Sequence, residues 1–470
     1  MTGDVVPAGT GARTISVLGC GYLGAVHAAA MAQLGHHVVG VESDPDRVAS
    51  LRAGRPPFYE PGLDELLLAM QQTGRLCFTD DIAEAERASV HFICVGTPQR
   101  RGQHAADLSY VHGAFADLLK IIKPGDVVAG KSTVPVGTAP RLREELREVC
   151  EEAELVWNPE FLREGFAIED TLRPDRVVIG AAPESAAAVQ SLRELYAGIL
   201  DDCPLLVTDF ATAELVKVAA NAFLATKISF INAMAELCEV AGGDVVQLAD
   251  ALGHDDRIGR KFLNAGLGFG GGCLPKDIRA FMSRATELGA AEVLTFLREV
   301  DAINLGRRDK VVQLVRDWLG DPLVGRRIGV LGAAFKPDSD DIRDSPALAV
   351  AEALHLLGAD VRVTDPRALH SARRVSPALT YVDDAAAAAE GAEVVLLLTE
   401  WSEFVDLDPE RLGTLVAERR VLDARNALDV PAWVAAGWHY RGLGRGADHD
   451  AGLGAGHGTD HGTGHGIGAP

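Results

Sequence analysis

The chain has 470 residues, of which 47% are hydrophobic and 24% charged, so it is long enough for two or three ordinary globular domains. Its net charge of −22 argues against non-specific nucleic-acid binding, which requires a basic surface. An anionic small ligand remains compatible with that charge, because a local cluster of lysine and arginine can hold it in a cleft. The seven cysteines lack CxxC spacing and fit a reducing cytoplasm.

The predicted elements begin with a strand–turn–helix unit. Residues 1–13 have neither a basic nor an apolar region, so we expect a short flexible leader rather than a signal peptide. Residues 14–18 read as a strand, 23–34 as an alanine-rich helix and 38–41 as a second strand. Buried-type strands follow at 90–95, 127–129, 155–157 and 177–179. This alternation predicts a doubly wound α/β domain over residues 13–205.

The second half begins with a helical region, and we expect a central helical domain over residues 206–305. Its most apolar stretch, 215–237, is interrupted by charged and amide side chains, so it is not expected to span a membrane. A second strand–turn–helix starts at Arg327, and strands at 361–364, 394–398 and 420–422 predict a second α/β domain over 306–445. The predicted fold class is α/β, with two Rossmann-like doubly wound domains joined by a long central helix.

Residues 446–470 are rich in glycine and histidine, without periodicity, and are expected to be disordered. Four histidines in this tail, His449, His457, His461 and His465, can bind a transition metal weakly. A solvated tail is the favoured interpretation, and we expect no metal in the active site.

A dinucleotide fingerprint lies between the first strand and the first helix. The pattern Gly19-x-Gly21-x-x-Gly24 allows a tight turn, close approach of a pyrophosphate and close helix packing. Glu42, at the end of the second strand, is placed to accept hydrogen bonds from the adenosine ribose, so NAD is favoured over NADP. The alternative, a plain glycine-rich turn, fits this context less well. The second unit, at 329–332, lacks the full pattern and predicts a different ligand.

Three further residues suggest chemistry. Cys273 lies between a glycine run and Lys276, near a predicted helix start, where a thiolate is favoured; a buried core thiol is the alternative. Lys217 and Asn221 lie four residues apart on one face of an otherwise apolar helix. A buried lysine is costly unless it is paired or functional, and the alternative is a lysine that reaches solvent at the helix end.

Ten sequence blocks, in order, resemble the UDP-glucose/GDP-mannose dehydrogenase family from residue 14 to about residue 442. They are GCGYLG (19–24), FYEPGLDEL (58–66), FICVGTP (92–98), KSTVPVGT (131–138), NPEFLREG (158–165), ELVKVAANAFLATKISFINAMAELCE (214–239), DDRIG (255–259), GFGGGCLPKD (268–277), AFKPDSDDIRDSPAL (334–348) and DARN (423–426).

The resemblance implies an N-terminal NAD-binding domain, a C-terminal nucleotide-sugar domain and a homodimer, possibly a larger assembly, formed through the central helix. It also implies oxidation of a sugar C6 alcohol to the carboxylate with two NAD. In that chemistry Cys273 captures the aldehyde as a thiohemiacetal, and a second oxidation gives a thioester that water releases. The blocks look more like the UDP-glucose branch, so we expect UDP-glucose as substrate. The alternatives are a GDP-mannose dehydrogenase or, with less support, a non-catalytic nucleotide-sugar-binding relative.

Site residues follow from the resemblance position by position. The implied catalytic residues are Cys273, Lys217, Asn221, Asp277, Thr133 and Glu160. The implied NAD contacts are Gly19, Cys20, Gly21, Tyr22, Leu23, Gly24, Glu42, Arg47, Val95, Gly96, Thr97, Pro98, Ser132, Thr133, Glu164, Lys276 and Arg343. The implied sugar-nucleotide contacts are Phe161, Leu162, Arg163, Glu164, Lys217, Asn221, Arg257, Phe262, Leu263, Asn264, Phe269, Gly270, Phe335, Lys336 and Arg425.

The implied contacts include three cations, and three positions depart from the family pattern. Arg257 is implied to reach the substrate of a partner subunit, and Lys336 with Arg425 to bind a diphosphate. Cys20 fills a variable slot of the fingerprint. Glu42 stands where aspartate is more usual, and Gly272 where serine often precedes the cysteine. None of the departures removes a catalytic group.

Overall fold

A computed structural model describes residues 11–446 of the chain. Residues 1–10 of the expected leader lie outside this range. So do residues 447–470, which contain the four tail histidines named above. The described chain forms two α/β domains, one on each side of a group of long helices.

The N-terminal domain is built on an eight-stranded sheet with the order β3-β2-β1-β4-β5-β6-β7-β8. Its strands are β1 (Thr14–Leu18), β2 (His37–Val41), β3 (Leu76–Thr79), β4 (Val90–Ile93), β5 (Val127–Gly130), β6 (Glu154–Trp157), β7 (Val177–Gly180) and β8 (Leu205–Thr208). All neighbouring pairs are parallel except β6 and β7, which are antiparallel. The strand order reverses between β1 and β4, which is where open α/β sheets bind ligands.

Helices cover this sheet and connect its strands. They are α1 (Tyr22–Gln33), α2 (Pro45–Arg52), α3 (Leu63–Gln72), α4 (Ser109–Leu118), α5 (Thr138–Val149), α6 (Ala167–Leu172) and α7 (Ala186–Leu195), with short 3-10 turns at Ile82–Arg87 and Ala197–Ile199. The alanine-rich α1 is buried along most of its length, since small side chains let it pack closely against the strands.

Four helices form the middle of the molecule: α8 (Phe210–Ala241), α9 (Val245–Gly253), α10 (Leu274–Glu287) and α11 (Phe296–Leu319), with a 3-10 turn at Ala291–Leu294. The Asp209 carboxylate caps α8 by accepting from the Thr212 amide (2.8 Å), and α8 ends at Gly242 in a left-handed conformation. By length and composition α8 can cross a membrane, yet it packs against α10 and α11 and buries polar side chains, as a core helix does. The expected domain boundary after residue 305 falls inside α11.

The C-terminal domain contains a six-stranded parallel sheet with the order β11-β10-β9-β12-β13-β14. Its strands are β9 (Arg327–Leu331), β10 (Asp360–Thr364), β11 (Thr380–Tyr381), β12 (Val394–Leu397), β13 (Arg420–Asp423) and β14 (His439–Gly442). Its helices are α12 (Pro346–Leu356), α13 (Leu369–Val375), α14 (Ala385–Ala389), α15 (Ser402–Val405), α16 (Pro409–Leu412) and α17 (Val430–Ala435). Two α/β domains joined through α8 agree with the predicted fold class.

Candidate active site

The glycine turn after β1 has the geometry that a dinucleotide requires. Gly19 has φ of +84°, and a Cβ on Gly24 would lie 1.9 Å from the Gly19 carbonyl oxygen, so neither position accepts a side chain. Gly21 precedes α1 with open space where its Cβ would be. The backbone can therefore meet a pyrophosphate at the N-terminus of α1, and the site fits NAD. Glu42 is buried beside this turn, where its carboxylate accepts from the Cys20 amide (3.1 Å).

The loops after β4 and β5 are tied together at the same edge of the sheet. The Ser132 hydroxyl donates to the Val95 carbonyl (2.7 Å), and the Thr97 hydroxyl donates to the Thr133 carbonyl (2.8 Å). Lys276 Nζ lies 3.5 Å from the Thr97 hydroxyl, which connects these loops to α10. The structure thus brings together the segments 95–98, 132–133 and 276, all expected to contact NAD. Arg47 lies apart on α2, exposed beside Asp44.

Cys273 is the N-cap residue of α10 and is exposed where the two α/β domains meet, next to Gly272, which lies against Arg343; this junction is called the cleft below. Surrounding protein atoms, and after them the charges of Asp277, Glu160 and Glu164, raise the pKa of the thiol to about 12, although Lys217 lowers it. This raised pKa differs from the expectation that the helix N-terminus and a lysine favour the thiolate. Burial, the largest cause, together with the carboxylates outweighs the ammonium of Lys217.

Two buried polar pairs that involve α8 lie near this cysteine. Lys217 Nζ lies 2.9 Å from a carboxylate oxygen of Glu160. Burial lowers the pKa of Lys217, but Glu160, Cys273 and Asp277 raise it by more, so the pKa lies above its ordinary value. The Asn221 amide donates to Asp277 (2.6 Å), whose other carboxylate oxygen lies 2.7 Å from Lys276 Nζ. The side chains of Lys217, Asn221, Glu160 and Asp277 thus lie near the thiol. Lys217 and Asp277 do not form an ion pair with each other.

The C-terminal domain reaches this site through the segment 335–343. Lys336 donates to the Glu164 carbonyl, and the Ser339 hydroxyl donates to the Glu164 carboxylate (3.0 Å), which also lies 3.3 Å from Arg343. Burial, followed by the neighbouring Asp341, raises the pKa of Glu164 to about 7 despite Arg343. Burial also lowers the pKa of Lys336. One glutamate of the N-terminal domain therefore contacts three residues of the C-terminal domain.

Residues 13–200, 211–305 and 329–430 match, in order, the NAD binding, central and UDP binding domains of the UDP-glucose/GDP-mannose dehydrogenase family. The chain belongs to this family. It is 42% identical over 435 residues to UDP-glucose 6-dehydrogenase of Rhizobium meliloti (strain 1021), covering 92% of this chain and 99% of that one. It is 40% identical over 440 residues to UDP-glucose 6-dehydrogenase TuaD of Bacillus subtilis (strain 168), covering 93% and 94%.

A solved structure supports the same membership. The UDP-glucose dehydrogenase of the hyperthermophilic archaeon Pyrobaculum islandicum superimposes with a TM-score of 0.84 at 40% sequence identity, covering 94% of this chain and 99% of that one. As a member of this family, the chain is an NAD-dependent oxidoreductase with Rossmann-like architecture. The fold and the cofactor predicted from the sequence are confirmed.

Several residues expected to bind the sugar nucleotide form hydrogen bonds or ion pairs within the protein. Arg425 donates to the carbonyls of Leu398 (2.7 Å), Gly268 (3.1 Å) and Phe335 (3.1 Å), so its guanidinium joins loops rather than pointing freely into the cleft. Arg163 is exposed and forms an ion pair with Asp170 (2.6 Å).

Two more expected contacts lie away from the cysteine-centred polar cluster. Arg257 is 88% exposed and pairs with Asp255, and Asn264 accepts from Arg260. Arg257 has the exposure that a contact with a second subunit requires. The remaining expected contacts are buried or half-buried in the segments that surround the cleft: Phe161, Leu162, Phe262, Leu263, Phe269, Gly270 and Phe335.

Sequence reasoning missed the groups that hold these loops in place. Glu60 is buried and accepts from Tyr22 and from the amides of Gly165 (2.6 Å) and Ala167 (2.7 Å). Asn304, on α11, accepts from the Phe269 amide (2.7 Å) and donates to its carbonyl (2.9 Å). The matching block around residue 60 was a usable signal for Glu60. No sequence pattern marked Asn304, because its partner is 35 residues away.

Proposed function

We propose that this protein oxidises the C6 alcohol of UDP-glucose to the carboxylate, giving UDP-glucuronate, with Cys273 as the nucleophile. The observation that carries the proposal is the assembly of Lys217, Asn221, Asp277 and Glu160 at the cleft that contains Cys273. Curated relatives at 42% and 40% identity are UDP-glucose 6-dehydrogenases, and they support this substrate over GDP-mannose. NAD, when bound, accepts one hydride in each of the two oxidations.

The roles proposed for the side chains follow from their charges. The sulfur of Cys273 bonds to the aldehyde carbon as the carbonyl π bond breaks, and the thiol proton ends on the former carbonyl oxygen, giving a thiohemiacetal. Loss of a hydride from that carbon to NAD and of the hydroxyl proton to solvent then gives a thioester. The ammonium of Lys217 stabilises the oxygen that becomes negative, with the Asn221 amide as a second donor. Water then hydrolyses the thioester, and Asp277 and Glu160, with Thr133, are the groups proposed to orient it.

The proposed sugar-nucleotide site lies on the C-terminal side of the cleft, and the segment with Lys336 and Phe335 forms part of it. Lys336 is the cation proposed to meet the diphosphate. The residues expected to hold NAD are those of the glycine turn, with Thr97, Ser132 and Arg343 on the loops that surround it.

The stoichiometry of NADH formation tests the proposal. We expect two NADH per UDP-glucose consumed, with little or no NADH from GDP-mannose or UDP-N-acetylglucosamine at the same concentration. Cys273→Ser should lose this turnover, because a hydroxyl is a much weaker nucleophile than a thiol; Cys238→Ser, a change of a buried cysteine on α8, is the control. Turnover of GDP-mannose alone would reassign the substrate, and NAD binding without turnover of any sugar would indicate a non-catalytic relative.

We further propose that the protein is a cytoplasmic homodimer. Three large apolar side chains, Phe223, Phe230 and Leu237, are spaced seven residues apart on α8 and are 66%, 48% and 57% exposed. That spacing places them on one side of the helix, as a helix-to-helix interface requires. All seven cysteines are free, which supports a reducing compartment.

A further inference from the structure

A second buried lysine lies beneath the active site. Lys131 directly follows β5 and is 7% exposed. Its Nζ donates to the side-chain oxygen of Asn158 (3.0 Å) and to the Tyr196 hydroxyl (3.3 Å), which itself donates to the same Asn158 oxygen (2.6 Å). Among residues 11–446, Lys131 forms no ion pair with a carboxylate. A buried cation held only by neutral groups is costly and is therefore not explained by stability.

The partners of Lys131 connect it to two proposed catalytic residues. Lys131 stands two positions before Thr133, and Asn158 stands two positions before Glu160. Strands β5 and β6 end here side by side, and the backbone N–H of Asn158 donates to the Gly130 carbonyl (2.7 Å). The Lys131–Asn158 hydrogen bond is thus a side-chain link between the two loops, just beyond the last backbone pairing of the sheet.

Lys131 also acts on Glu160 through its positive charge. Burial lowers the pKa of Lys131 to about 8, while Cys94 and Glu160 raise it. Three further buried titratable groups face Lys131: burial raises the pKa values of Cys94 and Tyr196, and burial, followed by Lys131, lowers the pKa of His27. At neutral pH Lys131 is thus mostly protonated, and Glu160 lies in the field of two buried ammonium groups, Lys217 in contact and Lys131 farther away.

We infer that Lys131 is a positioning residue for the oxidation: through Asn158 it fixes the loops that carry Thr133 and Glu160, and so holds the Glu160 carboxylate against Lys217. Lys131 itself touches neither substrate nor cofactor in this assignment. The kinetic part of the inference rests on the proposed function, whereas the structural part concerns only the geometry of the Glu160–Lys217 pair.

Lys131→Met tests the inference, because methionine fills a similar volume without the charge or the hydrogen bond. We expect kcat per intact active site to fall by about 10-fold, with KM for UDP-glucose and for NAD changed by less than about 3-fold. Tyr196→Phe is the matched control: it removes a buried hydroxyl from the same cluster but leaves the Lys131–Asn158 bond, so kcat should stay within about 3-fold of wild type. Crystal structures of both variants should show Glu160 displaced from Lys217 only in Lys131→Met.

The outcomes separate this inference from the proposed function. Unchanged kcat in Lys131→Met, whatever its thermal stability, overturns the inference, and so does an unchanged separation of 2.9 Å between Glu160 and Lys217 in its crystal structure. If the wild type oxidises no nucleotide sugar, the proposed function fails, but the crystal structure still decides the positioning role. If Lys131→Met does not fold, Asn158→Ala breaks the same link and is judged by the same measurements.

Discussion

At the scale of single residues, the environment of Cys273 opposes ionisation of its thiol. The thiol is open to the cleft, but neighbouring protein and three carboxylates keep its pKa high. The nearby ammonium of Lys217 lowers that pKa, and it also pairs with Glu160. Thiolate formation is therefore tied to the arrangement of Lys217 and Glu160 rather than to the start of α10 alone.

Gly272, directly before the cysteine, lies against the guanidinium of Arg343. A Cβ at residue 272 would lie 2.2 Å from the central guanidinium carbon of Arg343. We expect Gly272→Ser to displace that guanidinium, which is a proposed NAD contact, and to raise KM for NAD by about 3- to 10-fold with a smaller change in kcat. The free energy of unfolding should change by about 1 kcal/mol or less, because the clash involves the flexible end of a side chain.

Steady-state kinetics with varied NAD and urea unfolding check this prediction. Gly113→Ala, in the middle of α4 with no atom within 4 Å of the added Cβ, is the control. It should raise the free energy of unfolding by about 0.5–1 kcal/mol and leave KM for NAD unchanged. A Gly272→Ser protein with wild-type KM for NAD would show that Arg343 does not bind the cofactor.

At the scale of secondary structure, the elements predicted correctly are those whose pattern is local. The strand, glycine turn and helix at 14–33 carry their own sequence signals, and the long apolar α8 is recognisable for the same reason. Edge strands such as β8 were missed because half-exposed residues such as Leu206 and Val207 lack the buried pattern. The charged α11 was missed because only one narrow face of it is buried.

In the candidate site, too, local sequence signals identify some features and tertiary structure determines the others. Cys273, Lys217 and Asn221 stand out because their residue types are unusual for their local context. The contacts of Lys217 with Glu160 and of Asn221 with Asp277 join residues 57 and 56 positions apart, and only the packing of α8 against the sheet and α10 creates them. The sequence therefore indicated the groups proposed to carry the chemistry, whereas the pairs they form depend on tertiary structure.

The exposed apolar face of α8 leads to a prediction about assembly. Replacing both Phe223 and Phe230 by glutamate would place two charges in the proposed interface, so we expect the double variant to be a monomer. Light scattering after size-exclusion chromatography would report a change from twice the chain mass to the chain mass. Activity should fall with it, because Arg257 is proposed to complete the site of the partner subunit.

Leu356→Glu is the control for this change. Leu356 is a comparably apolar side chain on α12 that is 84% exposed, and its replacement should change neither mass nor activity. A wild type that is monomeric at micromolar concentration, or a double variant that stays dimeric, would contradict an interface on this face of α8.

At the scale of the whole molecule, the cleft depends on a few contacts between the two α/β domains. The Tyr59 amide donates to Asp340 (3.0 Å), and the Arg367 guanidinium lies over the Tyr59 ring at 4.3 Å. Glu164 adds the contacts with Ser339 and Arg343 described above. Since Glu164 is also a proposed ligand contact, the same carboxyl group joins the two domains and belongs to the proposed site.

The raised pKa of Glu164 makes the stability of the folded chain pH-dependent. Its pKa of about 7 in the folded protein lies above the ordinary 4.5 expected in the unfolded chain. Between these two values the folded state holds a proton that the unfolded state has lost, so increasing pH favours unfolding; below 4.5 and well above 7 the two states bind protons equally and the effect is constant. We therefore expect Glu164 to lower the free energy of unfolding progressively from about pH 4.5 to 7, by at most about 1.4 kcal/mol per pH unit.

Urea unfolding of wild type and Glu164→Gln from pH 5 to 8 measures this contribution as the difference between the two curves, which cancels groups common to both proteins. The wild type should lose stability relative to Glu164→Gln as pH rises towards 7, and the difference should then level off. Glu169→Gln, which removes an exposed glutamate paired with Arg173, is the matched control. The difference in unfolding free energy between wild type and Glu164→Gln could instead be constant over this range. That result would mean that Glu164 is ionised in the folded protein at every pH tested, because Arg343 and Lys336 outweigh its burial.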